Sequence, residues 1–458
     1  APFPVNPRSL DAIVLSHAHL DHVGALPIVV RDGFDRKVTC TPDTEALLLR
    51  CDGGHRCVQV SRAGVWYPPR TMITSPVAVM AVLAGVAAFW FWMERFTGWK
   101  LFQFIVPLIW IYATPMVLRN VGVLPAESAA YDLLRSYGLP IFIILLLVGV
   151  NVGAAVRVMG TGVLVMLLGT AGIVLGAPVG YFAVHWWLDP EAWRGFGALA
   201  GSWIGGTGNM AATAVALETP PDQFGLAVLA DTVIYVAWLP LLLMSKSFAT
   251  RFNRWARVPE DRVEMMEQAA LAETVEAEPP EVRHVLYLGA LALLGTWLAG
   301  WLSTDVLPPV GDVISASTWN VLLLSTIGIA LSFTPARRIP SSHNLAMGIV
   351  YVFVAGMGAQ ASLAGLAQAP AFLLGCAIWI VVHGLFCLAG AWLFKVDVHS
   401  AAIASAANVG GAASAPVVAA AHAKSLVPVA ILMAMLCYVL GNYGAIVAGH
   451  LTRIVAGA

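Results

Sequence analysis

The sequence contains few charged residues. Only 11% of its 458 residues are Asp, Glu, Lys or Arg, while 59% are hydrophobic. Soluble domains carry about 25% charged residues, so this composition predicts a chain that lies mostly in lipid and has the bilayer as a partner. The formal net charge is −1, which lacks the basic excess of nucleic-acid-binding proteins and predicts no nucleic-acid partner.

Cysteine is also scarce, with six residues in the chain. Cys376, Cys387 and Cys437 stand singly in apolar runs, where a cysteine usually acts as a small buried hydrophobic residue. The spacing therefore predicts no disulfide framework. The sequence also lacks an initiator methionine and a signal peptide at its start, which favours a fragment or a product of faulty gene assembly.

Long apolar runs begin only at residue 75, because residues 1–74 carry charges and prolines without such a run. Ten runs have about the length, 17–25 residues, that a helix needs to cross the hydrocarbon core of a bilayer. They lie near residues 75–93, 101–118, 138–156, 160–184, 224–245, 285–302, 318–334, 345–366, 370–394 and 426–449. We therefore predict an all-α, multi-pass protein of the plasma membrane.

A charged linker, residues 246–284, separates a first membrane region, residues 75–245, from a second, residues 285–458. The linker contains an amphipathic helix that we predict to begin near Pro259. Lys and Arg gather in and around it, which places it in the cytoplasm by the positive-inside rule.

Two segments of the membrane regions differ from the others, because they are less apolar and rich in Gly, Ala, Ser, Thr and Asn. These are residues 195–218, with the string WIGGTGN, and residues 398–422, with the string NVGGAAS. A Gly-Gly pair weakens a helix, and unwound backbone is tolerated in a membrane only where it lines a cavity or packs on protein. If these segments cross the membrane fully, the two regions are parallel repeats, whereas re-entrant segments make them inverted repeats, and the positive-inside rule fits both topologies equally. We favour two inverted repeats of about six membrane segments, each with a broken or re-entrant helix at its Gly-Gly pair, because inverted repeats are the commoner transporter plan.

The polar and glycine residues around these pairs are the candidate binding site for a small solute or ion. Free N–H groups at a resumed helix suit an anion, whereas unwound carbonyl groups suit a cation, so both remain open. The candidates at the pairs are Gly205, Gly206, Thr207, Asn209, Asn408, Gly410, Gly411 and Ser414, and a second choice in corresponding helices is Asn151 with Gln360. We expect no cofactor beyond a coupling ion, H⁺ or Na⁺.

Asp231, in the string LADTVIYVAWLP, is the one carboxylate well inside an apolar run. An ionisable group at membrane depth is costly and indicates a functional role by default. We predict that Asp231 binds the coupling ion. The alternatives are a structural hydrogen bond to a neighbouring helix and contact with water near a helix end.

Together, the strings AYDLLRSYGLPIFIILLLVGVNVGAAVRVMG, GSWIGGTGNMAA, LADTVIY and ASAANVGGAASAPVVAA resemble the membrane family called domain of unknown function 819. The resemblance covers about residues 75–455. That family is grouped with cation–proton antiporters and with bile-acid and glutamate symporters, which implies a transport fold with inverted repeats and crossing broken helices. Its antiporter relatives often use paired acidic residues, and this sequence has no such pair, which argues against simple proton antiport.

The most specific string, LDAIVLSHAHLDHVGALP, lies before the membrane regions. We predict a strand from Asp11 to Ser16 and a helix from Val23 to Arg31. Imidazole and carboxylate groups on the loop between them can converge on a metal ion. The candidate ligands are His17, His19, Asp21 and His22.

With VTCTPDTEALLLR after it, this segment resembles the metallo-β-lactamase superfamily over about residues 8–52. The resemblance implies two zinc ions that activate a water for phosphodiester hydrolysis. The superfamily needs a larger domain with further His and Asp ligands, and the similarity stops near Asp52. We therefore expect residues 1–74 to be a truncated fragment with an incomplete metal site, and the protein not to be an enzyme. Zinc would bind only if the motif is functional.

Three functions follow from the sequence. The preferred one is a secondary transporter of an unknown small solute or ion that works by alternating access around two broken helices. The second is a membrane-anchored metallohydrolase that uses the HxHxDH motif. The third is a non-transporting membrane sensor or scaffold. The sequence identifies neither the substrate nor the coupling ion, and it leaves a homodimer open.

Overall fold

The computed structural model describes residues 13–15, 38–40, 60–62, 73–99, 102, 107–259, 278–311, 314–361 and 367–457. The chain divides into two compact units, Ala1–Arg70 and Thr71–Ala458. This division lies close to the boundary near residue 74 that the first apolar run predicts.

The N-terminal unit contains a small parallel sheet. Its three strands are β1 (Ile13–Leu15), β2 (Val38–Cys40) and β3 (Val60–Arg62), and they pair in the order β1-β2-β3. β1 lies inside the strand that the sequence predicts from Asp11 to Ser16. The predicted helix from Val23 to Arg31 and the four candidate metal ligands lie outside the described residues.

The second unit is helical. Its helices are α1 (Pro76–Thr97), α2 (Pro107–Asn120), α3 (Ala129–Val148), α4 (Val152–Met159), α5 (Gly162–Phe182), α6 (Ala192–Gly205), α7 (Thr207–Ala216), α8 (Pro221–Met244), α9 (Ala249–Ala256), α10 (Val282–Trp301), α11 (Ala316–Ser332), α12 (Ser342–Gln360), α13 (Ala369–Leu393), α14 (Val398–His422) and α15 (Val427–Ala456). Among the described residues, eight helical segments are long and apolar enough to cross a membrane, and α11 is a shorter apolar helix. The multi-pass membrane architecture predicted from the apolar runs is confirmed.

One apolar run has a different form from the predicted one. Residues 138–156 do not make one helix, because α3 ends at Val148 and α4 begins at Val152. Asn151 caps α4, and its Oδ1 accepts a hydrogen bond from the backbone N–H of Ala154 at 3.1 Å. Asparagine favours this position because its side chain satisfies a backbone donor that a helix start leaves free. At its other end, α3 begins at Ala129, which is earlier in the chain than the predicted start at residue 138.

Glycines let the long helices pack closely. A Cβ atom on Gly180 of α5 would overlap the backbone carbonyl of Gly375 in α13, and one on Gly390 would come 3.1 Å from the Leu168 side chain. Small residues at such contacts are typical of helix packing in membranes.

In the linker, α9 follows α8 closely, and the amphipathic helix predicted near Pro259 falls largely on residues 260–277, outside the described residues.

Candidate functional site

α6 and α7 form a helical hairpin whose tip is Gly206. Its backbone, with φ 80° and ψ −177°, adopts a conformation that favours glycine. A Cβ on Gly201 would lie 2.6 Å from the backbone oxygen of Asn209, so the two arms run side by side. At the base, Arg194 Nη1 donates to the carbonyl of Leu217 at 3.0 Å. A straight helix would separate residues 194 and 217 by about 35 Å.

α14 forms a second hairpin, with its tip at Gly411. This residue has φ 58° and ψ −151° inside an otherwise helical segment. At the base, the Nδ1 atoms of His399 and His422 are 2.7 Å apart. A straight helix would again separate these two residues by about 35 Å. The contact therefore shows that α14 turns back on itself.

The two hairpins have their bases at opposite ends of α8. Thr219, two residues before α8 begins, donates from Oγ1 to the carbonyl of Arg194 at 3.3 Å. Near the other end of α8, His422 Nε2 lies 3.0 Å from the carbonyl oxygen of Leu242. The 24 residues of α8 span about 36 Å, enough to cross a bilayer core. We call the end of α8 at Met244 the linker end.

The tips of the two hairpins meet. A Cβ on Gly411 would lie 3.6 Å from Gly206 Cα. The ring of Tyr438, in the middle of α15, would lie 3.6 Å from a Cβ on Gly206 and 4.0 Å from one on Gly411. Asn209 Nδ2 also donates to the carbonyl of Tyr438 at 2.9 Å. We call Gly206, Gly411 and Tyr438 the tip junction.

The first glycine of each pair gives room beside the break. A Cβ on Gly205 would lie 2.7 Å from the Asn209 side chain, and one on Gly410 would overlap the Ser414 side chain. Asn209 is buried, and its Oδ1 has no hydrogen-bond partner among the described residues. Thr207 begins α7 directly after the tip. The structure thus places these candidate residues around the tip junction.

Asn408 lies in the second hairpin but faces two neighbouring helices. Its Nδ2 donates to the carbonyl of Met166 at 3.1 Å, and its Oδ1 accepts from Cys437 Sγ at 3.1 Å. Thr170 Oγ1 is also 3.4 Å from that oxygen. Both ends of the amide are therefore engaged, and they tie the hairpin to α5 and α15.

Asn151 and Gln360 are placed at opposite ends of α12. Asn151 Oδ1 accepts from Arg337 Nη1 at 3.4 Å, just before α12 begins. Gln360 ends the helix, and its Nε2 donates to the carbonyl of Gly356 at 3.0 Å. The 19 residues of α12 span about 28 Å, so these two candidates do not share one site.

Asp231 lies on the face of α8 that touches both hairpins. Its carboxylate faces Ser202 and Trp203 of the first hairpin, and its Oδ1 is enclosed without a hydrogen-bond partner among the described residues. One turn further along α8, Tyr235 packs against Ser414 and Gly410 of the second hairpin. An enclosed carboxylate oxygen is costly unless it meets a proton, a cation or a donor.

A cavity of about 200 Å³ lies beside the tip junction. Its lining residues are Leu146, Gly149, Arg337, Ser341, Ser342, His343, Asn344, Met435 and Tyr438. α11 starts at the base of the first hairpin, where Thr318 Oγ1 donates to the carbonyl of Ala216 at 2.7 Å. The turn after α11, which carries Arg337, is therefore at the linker end, and Tyr438 belongs to both the cavity and the tip junction.

Sequence reasoning missed the cavity residues Arg337, Ser342 and His343. The string ARRIPSSHN follows an apolar run and carries two adjacent arginines with polar residues behind them. In the sequence alone, these two arginines indicate only on which side of the membrane their loop lies. Their relation to Gly149 and Tyr438 depends on contacts between residues that are distant in the chain.

No group of three or more His, Cys, Asp or Glu side chains that could hold a metal ion occurs within the described part of the chain. His17, His19, Asp21 and His22 lie outside that part, so this finding does not bear on them.

Comparison with protein-family models gives two matches. The family described as protein of unknown function (DUF819) matches residues 81–455. The metallo-beta-lactamase superfamily matches residues 4–50. The uncharacterized membrane protein YjcL of Bacillus subtilis is 29% identical over 341 residues, which cover 72% of this chain and 86% of that protein.

Two further relatives are similar to this chain over short segments only. Ribonuclease TTHA0252 of Thermus thermophilus is 48% identical over 48 residues, which are 10% of this chain and 11% of that protein. Transcription termination factor FttA of Methanosarcina mazei is 43% identical over 47 residues, which are 10% of this chain and 7% of that protein. The match thus spans about a tenth or less of the length of these two relatives.

Proposed function

The chain belongs to the family described as protein of unknown function DUF819, and we propose that it is a secondary transporter of a small solute or ion. The observation that carries the proposal is the contact between Gly206 and Gly411, the tips of two hairpins whose bases lie at opposite ends of α8. Broken helices that meet at the membrane midplane are typical of transporter binding sites. Their unwound backbone can contact a solute only where a cavity reaches it.

We also propose that residues 75–245 and 285–458 are inverted repeats in the plasma membrane, with the linker in the cytoplasm. Each region contributes one hairpin with a Gly-Gly pair at its tip, and the bases point to opposite sides. In this plan, alternating access arises when one bundle moves against the other around a fixed site. The cavity beside Tyr438 would then be the opening on the linker side.

We propose that Asp231 is the group that binds the coupling ion, H⁺ or Na⁺. It lies between the two hairpins, and one of its carboxylate oxygens is enclosed without a hydrogen-bond partner among the described residues. A cation or a proton would compensate this oxygen, and its arrival would alter the contact between α8 and the first hairpin.

We propose that residues 1–74 add no enzymatic activity. The family match ends at residue 50, and the matched segment is about a tenth of the ribonuclease to which it is similar. A hydrolytic zinc site needs a full ligand set and an open position for water. The four candidate ligands of the HxHxDH loop would make up only part of that ligand set.

The transport proposal is tested in proteoliposomes with the purified full chain. Electrogenic and radiolabel uptake assays are run over a panel of amino acids, organic acids, sugars and inorganic ions, with H⁺ and Na⁺ gradients. We expect flux of at least one solute, and we expect Gly206→Val to abolish it. Gly289→Val is the matched control, because a Cβ at Gly289 meets no heavy atom within 4 Å. The proposal fails if no solute of the panel moves under either gradient, or if Gly206→Val and Gly289→Val carry equal flux.

A further inference from the structure

We propose that the cavity beside the tip junction binds a small organic anion through a carboxylate group, and that such an anion is the transported solute. The second part of this inference rests on the proposed transport function. The cavity is lined by one arginine, two serines, a histidine, an asparagine and a tyrosine, and by no Asp or Glu. Its polar lining therefore favours a negatively charged ligand.

Arg337 supplies the positive charge. Its guanidinium donates a long hydrogen bond of 3.4 Å to Asn151 Oδ1, a neutral acceptor. Among the described residues it makes no ion pair, and its side chain is half-buried at the edge of the cavity. A guanidinium presents parallel N–H donors that match both oxygens of a carboxylate, so Arg337 has its strongest bonding capacity still unused.

The start of α12 supplies backbone donors beside Arg337. Ser341 precedes the helix with φ 73°, and its side chain makes no capping hydrogen bond. The first backbone bond of the helix runs from Leu345 N–H to the carbonyl of Ser341 at 3.0 Å. The N–H groups of the three intervening residues have no acceptor within the described residues. These groups carry partial positive charge, and their residues line the cavity.

Ser342 gives an independent sign of a ligand. Ser342 is 6% exposed, and its hydroxyl, which is accessible from the cavity, makes no hydrogen bond within the described part of the protein. The hydroxyl points to the glycine side of the cavity, where a Cβ on Gly149 would come within 2.8 Å of Ser342 Oγ. Buried polar groups almost always have a partner. A ligand oxygen in the cavity would provide one for this hydroxyl.

The size and position of the cavity define the ligand further. Drug-sized ligands occupy sites of about 300–1,000 Å³, so about 200 Å³ fits a smaller molecule such as a short mono- or dicarboxylate. His343 stacks on Tyr438, with ring centroids 6.1 Å apart. Since Tyr438 also contacts both hairpin tips, a bound anion would touch the residue that joins the cavity to the tip junction.

Isothermal titration calorimetry on the purified full chain in nanodiscs tests the site. The probes are acetate, propionate, succinate, glutamate and benzoate, with succinamide as the neutral analogue and inorganic phosphate as the other oxyanion. We expect at least one carboxylate to bind and succinamide not to bind. Arg337→Gln should weaken that binding at least tenfold, Arg337→Lys less, and Ser342→Ala several-fold.

Arg338→Gln is the matched control, because this neighbouring arginine is exposed and does not line the cavity. It should leave the affinity unchanged, and the thermal unfolding of each variant shows that it remains folded. The inference is overturned if no carboxylate binds, if phosphate alone binds, or if folded Arg337→Gln and Arg337→Lys both keep full affinity.

The two proposals fail in different ways. Carboxylate binding that depends on Arg337, without flux in proteoliposomes, would support the anion site and overturn the transport function. Flux of a neutral or cationic solute, without carboxylate binding, would overturn the anion site and support the transport function.

Discussion

Gly206 and Gly411 contact each other at the tips of two helical hairpins, such that a Cβ on Gly411 would lie 3.6 Å from Gly206 Cα. Both residues have positive φ angles, 80° and 58°. Neither position accommodates a side chain without strain. A movement of either hairpin therefore changes the same small contact, and this contact is the basis of the first prediction.

Substitution at the tip should disturb stability and transport together. Gly411→Ala places an L residue at φ 58° and ψ −151°, a region that essentially only glycine adopts, which costs about 1–3 kcal/mol, and it brings the new methyl group into contact with Gly206. We expect lower thermal stability and at least tenfold slower flux. Gly348→Ala is the control, because this glycine is inside α12 with no heavy atom within 4 Å of a Cβ. Equal behaviour of the two variants would contradict the prediction.

The histidine pair at the base of the second hairpin should make stability depend on pH. Burial lowers the pKa of His399, as does Lys246, while Asp397 raises it. Burial lowers the pKa of His422, the Leu242 carbonyl raises it, and His399, Lys246 and Asp397 act more weakly.

Because both pKa values are lowered on folding, the unfolded chain binds more protons between the folded and unfolded pKa. The stabilisation by the neutral pair is therefore present above about pH 6.5, the ordinary histidine pKa, and is lost as the pH falls through the folded values. We expect the melting temperature to fall between pH 7.5 and pH 5. His422→Gln should flatten this dependence, whereas His185→Gln, near the other hairpin base, should not. A curve for His422→Gln that parallels the wild type would contradict the role of the pair.

Asp231→Asn should remove ion coupling while the fold persists. The amide keeps the shape of the carboxylate but cannot take up a proton or neutralise a cation. We expect at least a tenfold loss of gradient-driven flux, measured with and without Na⁺ and H⁺ gradients. Asp305→Asn, at an exposed position after α10, should keep full coupling. Unchanged gradient dependence in Asp231→Asn would exclude Asp231 as the coupling group.

Asn408→Ala should act through stability. It leaves the buried Cys437 thiol without its hydrogen-bond acceptor and removes one of the donors to the Met166 carbonyl, which keeps Thr170 Oγ1 at 3.0 Å. An unsatisfied buried polar group costs about 1–3 kcal/mol. We expect a clear fall in melting temperature, whereas Asn344→Ala, at an exposed residue of α12, should change it little. If Asn408→Ala is as stable as the wild type but loses solute binding, Asn408 is a ligand-binding residue instead.

The HxHxDH loop should be dispensable. We expect the purified full chain to contain less than one zinc per molecule by mass spectrometry, and to show no nuclease activity above that of His19→Ala. One bound zinc per chain, with nuclease activity that His19→Ala removes, would make residues 1–74 part of a working hydrolase.

The sequence predicted much of the helical architecture, because the length of an apolar run is a local property. The runs near residues 75–93, 160–184 and 370–394 each correspond to one helix. The prediction of one membrane segment over residues 138–156 was wrong, because the cap formed by Asn151 starts a new helix inside this run. Neither Asn151 nor Gln360 joins the tip junction in the structure, and their binding roles stay predictions.

The sequence by itself determined where the chain enters lipid and where its helices break. The length of an apolar run and the conformational freedom of Gly206 and Gly411 depend only on residues that are close together in the sequence. Only the tertiary structure decided that each broken segment folds back. The charges of the loops fit a full crossing equally well, whereas the hydrogen bond between Arg194 and Leu217 forms only if the segment turns back on itself. It also brought Arg337, Ser342 and Tyr438 around one cavity, because contacts between distant residues depend on how whole helices pack.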